Sequence, residues 1–351
     1  MLLVAVVICT VGILQIYSAT HETKWANAWW KQIIYVCAGL LLMWMICTVD
    51  YHTLLGQVPV FYGISLFLLA LVWMIGTSHF GARRWIALPG NFHFQVSEFV
   101  KLVIILLVAR YLTNLKKECL EGKDLFKLGG LIAFPLLFVV VFQRDLGTSL
   151  TYIPVFAIGL FLAGLQLRHI LILALLAVAV PAVSYNFLLD HQKARVDTFL
   201  DPDADPQGRG YQVVQSKIAV GAGKMWGQGV TQGSQTRLRF LPVPHSDFIF
   251  ATFSEEHGFV GVVFILALYF WLLLKIVQNA QAAPDRPGMY ICMGVASLLL
   301  FHLLVNVGMV VGLMPVTGIP LPLMSAGGSS MLSMFLMLGL VNNVRLRRFI
   351  N

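Results

Sequence analysis

Titratable side chains are concentrated in one stretch of the sequence, RFLPVPHSDFIFATFSEEHGFVG. His245, Ser246 and Asp247 open its apolar run, and Glu255 and Glu256 follow about two helical turns later. Because charged groups are rare in membrane helices and often functional, a carboxylate here is a candidate general base. The pattern also fits a structural role, since Ser246 or Asp247 would cap a helix by accepting hydrogen bonds from its free N–H groups. The sequence leaves both interpretations open.

Two other polar clusters interrupt apolar runs. The stretch GARRWIALPGNFHFQVSEFVK holds Arg83, Arg84, Glu98 and Lys101, and the stretch QRDLGTS holds Asp145 between two apolar segments. The topology predicted below puts both clusters at the same membrane face as the first stretch, so we expect one shared cavity. The alternative for each is a snorkelling or paired charge, including an ion pair of Asp145 with a neighbouring arginine. For Arg83 we favour this alternative, a snorkelling or paired charge.

Composition identifies the elements that must position these groups. The 351 residues are 58% hydrophobic and 11% charged, with a mean hydropathy of +0.82. A soluble domain is about a quarter charged, so this composition indicates a membrane protein. Five scattered cysteines suggest neither a metal site nor a disulfide framework. The net charge of +8 fits anionic headgroups or a phosphate-bearing substrate, but also any membrane protein with basic cytoplasmic loops, and we expect no nucleic-acid partner.

Windows of roughly 17–25 apolar residues predict an all-α integral membrane protein with about ten transmembrane helices in one polytopic domain, 1–351. The predicted spans are 2–19, 30–49, 58–76, 99–115, 125–142, 148–165, 169–189, 246–277, 288–311 and 329–346. Lysines and arginines near the span ends favour a cytoplasmic location for both termini. The long loop 190–245, between helices 7 and 8, is then extracytoplasmic.

That loop contains recognisable local structure. Asp-Pro pairs at 201–202 and 205–206 predict turns. Apolar residues at helical spacing in 211–220 predict a short amphipathic helix that carries Lys217 and lies flat on the membrane surface. The glycine-rich GAGKMWGQG that follows permits close approach of the backbone to a ligand, but it lacks the spacing of a nucleotide-binding phosphate loop.

A second irregular segment, MPVTGIPLPLMSAGGSS, falls at membrane depth near the C-terminus. Its prolines and its Gly-Gly pair exclude a regular helix, and such backbone is tolerated in a membrane only where protein or water covers it. We therefore expect this segment to fold back over the outer mouth of the bundle. His302 and Asn306, which precede it, are expected to hydrogen-bond between helices.

Four motifs together resemble the SEDS family (shape, elongation, division and sporulation) of integral membrane glycosyltransferases. They are FLPVPHSDFIFATFSEEHGFVG, QRDLGTS, DPDADPQGRGYQVVQSKIAVGAG and NVGMVVGLMPVTGIPLPLMSAGGSS. The resemblance covers nearly the whole chain, and the wording of the last two motifs is similar to the elongation branch of the family. It implies ten spans with both termini inside, polymerisation of lipid II at the outer face of the bacterial cytoplasmic membrane, and a class B penicillin-binding protein as crosslinking partner.

The resemblance also assigns roles to individual residues. The essential carboxylate of the family falls on Asp247, and its other motif positions fall on Arg84, Glu98, Lys101 and Asp145. Three residues depart from the usual family pattern, in which prolines and a tyrosine stand at their positions. These residues are Val96, Arg144 and Ala326. None of the three removes a charged group, so they bear on local loop shape only.

The chemistry implied is a displacement that inverts the sugar carbon bearing the pyrophosphate. Such a step needs one base on the acceptor hydroxyl and no covalent intermediate, so we predict Asp247 as the single catalytic carboxylate. Arg84, Lys101 and Lys217 would hold the pyrophosphate. The full predicted substrate-binding set is Arg84, Glu98, Lys101, Asp145, Lys217, His245 and Glu256. No ligand spacing requires a metal, although a divalent cation, Mg²⁺ or Mn²⁺, could bridge the pyrophosphate to Asp145 or Glu98.

Two rival functions share the same composition. A transporter of lipid-linked precursors would need charged groups along a route to both membrane faces, whereas the predicted clusters share one face. A non-catalytic scaffold that recruits a crosslinking enzyme would tolerate replacement of Asp247. We favour the polymerase, mainly on the resemblance.

Overall fold

The structure is a computed structural model that describes residues 1–21, 23, 25–79, 82–88, 92–115, 121–165, 209–238, 240–241 and 243–348, with the single positions 168, 171, 193, 197 and 199. Its elements are α1 (Leu2–Thr20), α2 (Ala28–Thr48), α3 (Tyr51–Gly56), α4 (Val58–Ile75), β1 (Thr77–His79), β2 (Ala82–Leu88), β3 (Phe92–Phe94), α5 (Val96–Asn114), α6 (Gly122–Val141), α7 (Leu146–Leu150), α8 (Tyr152–Leu162), α9 (Arg209–Ala222), α10 (Ser234–Arg237), α11 (Ile249–Gln281), α12 (Arg286–Val310) and α13 (Gly328–Arg347).

Seven of the described helices are long and apolar enough to cross a membrane, namely α1, α2, α4, α6, α11, α12 and α13. Two further predicted spans correspond to α5, which carries Glu98, Lys101 and Arg110, and to the broken pair α7–α8. The prediction of a helical, multi-pass membrane protein is confirmed. The predicted span 169–189 and the predicted turns at 201–206 lie outside the described residues, so the total of ten spans and the position of the long loop stay predictions.

The interior of the bundle is formed by α12 and α13. Their most apolar windows are 61% and 67% buried, against 22% for α2, α4 and α11, which leave most of their apolar surface for lipid. The helices α2 and α13 approach closely because Gly39 lies against Phe335, and Gly339 lies against Met43. Small residues at such contacts are the usual means by which membrane helices pack.

A three-stranded antiparallel sheet, β1-β2-β3, joins α4 to α5 and was not predicted from the sequence. The pairing of Thr77 with Trp85 and of Ser78 with Arg83 leaves Arg84 without a partner on β1, so β2 contains a bulge there. Bulges re-aim side chains and are frequent beside functional sites. The end of the bundle that carries this sheet, here called the hairpin end, also holds the start of α11 and the end of α12.

The long helix α11 is broken at Gly258, whose φ of 64° and ψ of −166° are not helical. The glycine-rich segment after α9 lies against this break. The N–H groups of Gln228 and Phe259 donate to the carbonyls of Glu255 and Lys224, at 2.9 and 2.8 Å. The backbone N–H and C=O groups that lose their helical partners at the break therefore have hydrogen bonds to this segment, as burial in a membrane requires. The predicted close approach of these glycines is to the protein's own helix, which corrects the expectation of a ligand contact.

The predicted amphipathic helix is observed as α9. Its residues Val213, Ser216 and Ala219 are buried, and their spacing of three places them on one face. The hydroxyl of Ser216 donates to the carbonyl of Val310 at 2.9 Å, which fastens α9 to the end of α12. The opposite face carries the exposed Lys217.

Residues 311–327, here called the re-entrant loop, are irregular as predicted. Side chains of neighbouring helices satisfy their carbonyls. The carbonyls of Ile319, Pro320 and Pro322 accept from Asn306, His302 and Tyr269, at 2.8, 3.2 and 2.5 Å. The expected hydrogen bond between helices is present for His302, whose Nε2 atom lies 3.3 Å from Nζ of Lys101 on α5. Asn306 instead donates to loop carbonyls, which at membrane depth need donors more than a regular helix does.

Candidate active site

Asp247 lies just before α11 at the hairpin end and is half-buried. Its Oδ1 atom accepts from the hydroxyl of Ser246 at 2.9 Å, and its Oδ2 atom lies over Gly318 of the re-entrant loop. Its backbone carbonyl accepts from Nδ2 of Asn306 at 3.1 Å. The N-cap of α11 is Phe248, whose side chain makes no capping hydrogen bond. Asp247 therefore does not hold the N-cap position, and its carboxylate contacts Ser246 and the loop.

His245 borders the same carboxylate from the buried side. Its ring lies against Trp25, with centroids 5.3 Å apart, and its carbonyl accepts from the N–H of Ala326 at 2.9 Å. Because only the backbone of Ala326 takes part, this contact does not depend on that residue's departure from the family pattern. Burial lowers the pKa of His245 to about 4, so its imidazole is neutral at pH 7. Within the described part of the chain, nothing hydrogen-bonds its buried Nδ1 atom.

Asp145 is the N-cap of α7 and is buried. It accepts from the N–H and the hydroxyl of Thr148 at 3.1 and 2.9 Å, and from Nε2 of Gln95 at 3.2 Å. The guanidinium of Arg84 lies 3.5 Å from its Oδ2 atom. The ion pair named as an alternative is therefore present, and Asp145 acts at least in part as a structural anchor for Arg84.

Arg84 is held from a second direction by the turn between α6 and α7. Its Nε atom donates to the carbonyl of Gln143 at 3.1 Å, and its terminal nitrogen donates to the carbonyl of Arg144 at 2.6 Å. About a quarter of its side chain remains exposed. Arg84 is thus a fixed cation with an open edge.

Glu98 and Lys101 form a buried ion pair one turn apart on α5, with 2.8 Å between Oε1 and Nζ. Nζ also lies 3.3 Å from Nε2 of His302. Because the other nitrogen of His302 contacts the carbonyl of Pro320, that nitrogen carries the proton and Nε2 accepts from the lysine. Lys101 is 1% exposed, so its charge supports the re-entrant loop from behind and does not face an open cavity.

Lys217 is exposed and lies against the end of α12. Its Cε and Nζ atoms lie over Gly312, just after that helix. Asn306, which holds the backbone of Asp247, is about two helical turns earlier on the same helix. Lys217 is therefore an exposed ammonium on the helix end that also supports Asp247.

Glu256 is the predicted site residue that the structure places elsewhere. It is 2% exposed and accepts from Nε2 of Gln15 at 3.1 Å and from the hydroxyl of Ser18. Its neighbour Glu255 is also fully buried and accepts from the N–H of Gln235 at 2.8 Å and from the hydroxyl of Thr236 at 3.0 Å. Glu255 thus fastens the segment after α9 to the bundle, and Glu256 fastens α1 to α11. The sequence prediction missed these roles because the partners are distant along the chain.

The three clusters converge on four consecutive residues of the re-entrant loop. Thr317 packs its carbonyl against Gly147 of α7, and Gly318 lies under the carboxylate of Asp247. Ile319 accepts from Asn306, and Pro320 accepts from the histidine that contacts Lys101. The loop therefore links the three predicted clusters, and the single shared cavity stays a prediction. Gln95, His302, Asn306 and Gly318 were missed as site residues, since neutral residues carry no charge signal.

The carboxylates do not form a ready-made cation site. Asp145 already accepts from three donors and faces Arg84, while Glu98 is paired with Lys101. In the described ranges, no group of three or more His, Cys, Asp or Glu side chains has metal-binding geometry. A divalent cation would have to displace a bound cationic side chain at either carboxylate.

Known proteins share this architecture along its full length. The FtsW/RodA/SpoVE family, described as "Cell cycle protein", matches residues 1–348. Stage V sporulation protein E of Bacillus subtilis is 33% identical, with 98% of this chain and 95% of that protein covered. Peptidoglycan glycosyltransferase MrdB of Escherichia coli is 35% identical, with 99% of this chain and 93% of that protein covered. Peptidoglycan glycosyltransferase RodA of Treponema pallidum is 30% identical, with 99% of this chain and 97% of that protein covered.

Solved structures of two related proteins have the same fold along nearly the whole chain. A protein in a peptidoglycan synthase complex, described as coordinating polymerization and crosslinking, has a TM-score of 0.84 at 33% identity, covering 100% of this chain and 98% of that one. The rod shape determining protein RodA of Thermus thermophilus has a TM-score of 0.73 at 29% identity, covering 99% and 96%. The chain is thus a multi-pass membrane protein of the SEDS class. It belongs to the FtsW/RodA/SpoVE family, on the RodA-like side.

Proposed function

We propose that this chain is a peptidoglycan glycosyltransferase that polymerises lipid II into glycan strands during cell elongation, with Asp247 as its general base. The observation that carries the proposal is the half-buried carboxylate of Asp247, which lies on the loop where the three polar clusters meet. Relatives named peptidoglycan glycosyltransferase align with nearly the whole chain, which favours this function over a transporter or a scaffold.

The reaction requires inversion at the sugar carbon that bears the pyrophosphate. The acceptor 4-hydroxyl gives its proton to the carboxylate of Asp247 while its oxygen bonds to that carbon. The bond from the carbon to the pyrophosphate oxygen breaks, and the polyprenyl pyrophosphate leaves with the bonding electrons. The hydroxyl of Ser246 fixes one carboxylate oxygen, and Gly318 leaves the space beside the other free of a side chain.

The developing charge on the leaving group needs cations that can reach it. Lys217 is exposed and the edge of Arg84 is open, so we assign these two to the pyrophosphate. Lys101 is buried, so we assign it to positioning the re-entrant loop, with Glu98 holding it in place. His245 is also buried, so we assign its neutral imidazole to packing beside Asp247 and not to direct contact with the pyrophosphate.

The test is strand polymerisation by the purified full-length protein with lipid II. Asp247→Asn should lower turnover about 100-fold or more, since general base catalysis contributes roughly 10²–10⁴. Glu121→Gln, which removes an exposed carboxylate at the start of α6, is the matched control and should leave turnover unchanged. Thermal unfolding in detergent should be the same for both variants. Full activity in Asp247→Asn would overturn the assignment of the base.

We further propose that the protein lies in the bacterial cytoplasmic membrane with both termini inside, its hairpin end outside, and a class B penicillin-binding protein beside it. The excess of lysine and arginine in the predicted inner loops and at the C-terminus supports this orientation, and the coordination of polymerization with crosslinking described for the solved relative supports the partner. Cysteines placed at Gln228 and at Arg348 should react with a membrane-impermeant thiol reagent on intact spheroplasts at Gln228 only. Labelling at Arg348 would reverse the orientation.

A further inference from the structure

A second cleft lies at the hairpin end beside the Asp145 cluster. It has a volume of about 430 Å³, within the usual range for ligand sites, and lies between the ends of α4 and α6 and the strand β2. Its lining residues are Trp73, Met74, Arg83, Phe142 and Arg144. We call it the lateral cleft, because its apolar residues belong to the exposed, lipid-facing surface.

One wall of the lateral cleft is aromatic and apolar. The rings of Trp73 and Phe142 meet edge to face with centroids 5.1 Å apart, and Met74 is 67% exposed beside them. Both aromatic rings are more than two-fifths exposed. Aromatic and thioether side chains at a membrane interface suit a flexible hydrocarbon chain better than they suit water.

The other wall is cationic. Arg83 reaches back to the carbonyl of Met74, at 3.5 Å, and Arg144 is exposed at the turn after α6. Across the described residues, neither arginine has a carboxylate within ion-pair distance, whereas Arg84 between them in space is paired with Asp145. Two guanidinium groups without a counter-charge, beside an apolar wall, match a lipid with an anionic head.

The backbone at Arg144 is strained. Its φ of 52° lies in the left-handed region, which proline, the usual residue here in the resembling family, cannot adopt. A left-handed non-glycine residue is strained and persists only when its surroundings hold it. The hydrogen bond from Arg84 to its carbonyl supplies that constraint and leaves the Arg144 side chain at the cleft.

We propose that the lateral cleft binds the pyrophosphate of a polyprenyl-pyrophosphate-linked substrate as it arrives from the membrane, with the first prenyl units against the aromatic wall. This inference rests on the proposed function. Two guanidinium groups fit the two phosphates of a pyrophosphate, whereas a phospholipid presents a single phosphodiester. The turn that carries Arg144 continues into Asp145 and Gly147, which contacts the re-entrant loop beneath Asp247. The cleft is therefore adjacent to the reacting centre and separate from it.

Binding to the purified full-length protein in detergent tests this. The probe is undecaprenyl pyrophosphate, with undecaprenyl phosphate and phosphatidylglycerol as competitors. The readout is native mass spectrometry, which counts the bound probes, so that loss of the probe in the cleft is distinguished from a probe held by Arg84 and Lys217 at the reacting centre. Arg83→Gln and Arg144→Gly, the latter chosen to keep the left-handed backbone, should each weaken pyrophosphate binding about tenfold, and the double variant about a hundredfold. Arg345→Gln, an exposed arginine at the other end of the bundle, is the matched control and should bind normally.

Arg83→Lys keeps the charge and should recover part of the lost binding, which separates a lost contact from a folding defect. Normal pyrophosphate binding by the double variant would overturn the proposal. So would displacement by phosphatidylglycerol at equal concentration, because the cleft would then take any anionic lipid. Asp247→Asn should bind the probe normally. If that variant also polymerises normally while the cleft variants lose binding, the base assignment fails and the cleft assignment stands.

Discussion

Lys101 is the site residue whose position in the structure differs most from the role predicted from the sequence. From its type and motif it is a candidate ligand for pyrophosphate, yet it lies 1% exposed between Glu98 and His302. Burying an ion pair takes both charges out of water, and this desolvation cost offsets most of their Coulomb attraction. The pair therefore contributes little net stability. Removing one partner is nevertheless costly, because it leaves an uncompensated buried charge. Its value here is that it fixes the histidine that holds Pro320 of the re-entrant loop.

This arrangement predicts a particular double-mutant result. Lys101→Met should destabilise the protein by about 3–5 kcal/mol, because Glu98 is left charged and unpaired. Adding Glu98→Gln removes that charge, so the double variant should recover most of the stability and should polymerise within about tenfold of the parent. Thermal unfolding and polymerisation rate would be measured for all four members of the cycle. A stable double variant with no turnover would instead assign Lys101 direct contact with the reacting pyrophosphate.

Residue types alone located most of the site but could not separate its roles. Asp247, Asp145 and Glu256 look alike in the sequence, since each is a carboxylate that borders an apolar run. They differ only in which donors the fold brings to them, which for Glu256 are side chains of α1. Such long-range partners leave no mark in local sequence.

At the scale of elements, the apolar spans were predictable because their length is fixed by the thickness of the membrane. The sheet was not, since its strands have only 3, 7 and 3 residues and the sequence between them is interrupted by turn residues. The break in α11 was also missed, because an isolated glycine is tolerated within a helix. Gly258 becomes necessary only because the segment after α9 packs against it.

At the scale of the whole molecule, a second polar cluster closes the end of the bundle opposite the sheet. Nδ1 of His52 lies 2.9 Å from Asp50, and its Nε2 lies 2.6 Å from Asp285, which also accepts from the hydroxyl of Tyr51 at 2.9 Å. Arg347 lies 3.4 Å from Asp50. The cluster thereby joins α3 to the start of α12 and the end of α13, the two helices that form the interior.

This cluster makes global stability depend on pH. Burial alone would lower the pKa of His52, but its hydrogen bonds to Asp50 and Asp285 outweigh burial and raise that pKa. A raised folded pKa means that the stabilisation is complete below the unfolded value of about 6.5 and is lost as pH rises through the folded value. His245, whose folded pKa of about 4 lies below its unfolded value of about 6.5, has the opposite effect, because stability rises with pH until the unfolded imidazole has lost its proton.

We therefore expect the thermal midpoint of the detergent-solubilised protein to fall as pH is raised from 6 to 8.5, relative to that of His52→Gln. Because the side chain of His52 is 42% exposed, solvent screens the pairs and the effect should be small, about 1 °C. High salt should reduce it further. Taking the difference in thermal midpoint between parent and variant removes the contribution of every group that titrates in the same way in both proteins. Parallel pH profiles would mean that His52 is uncharged in the folded protein and that the cluster is held by Arg347 and Tyr51 instead.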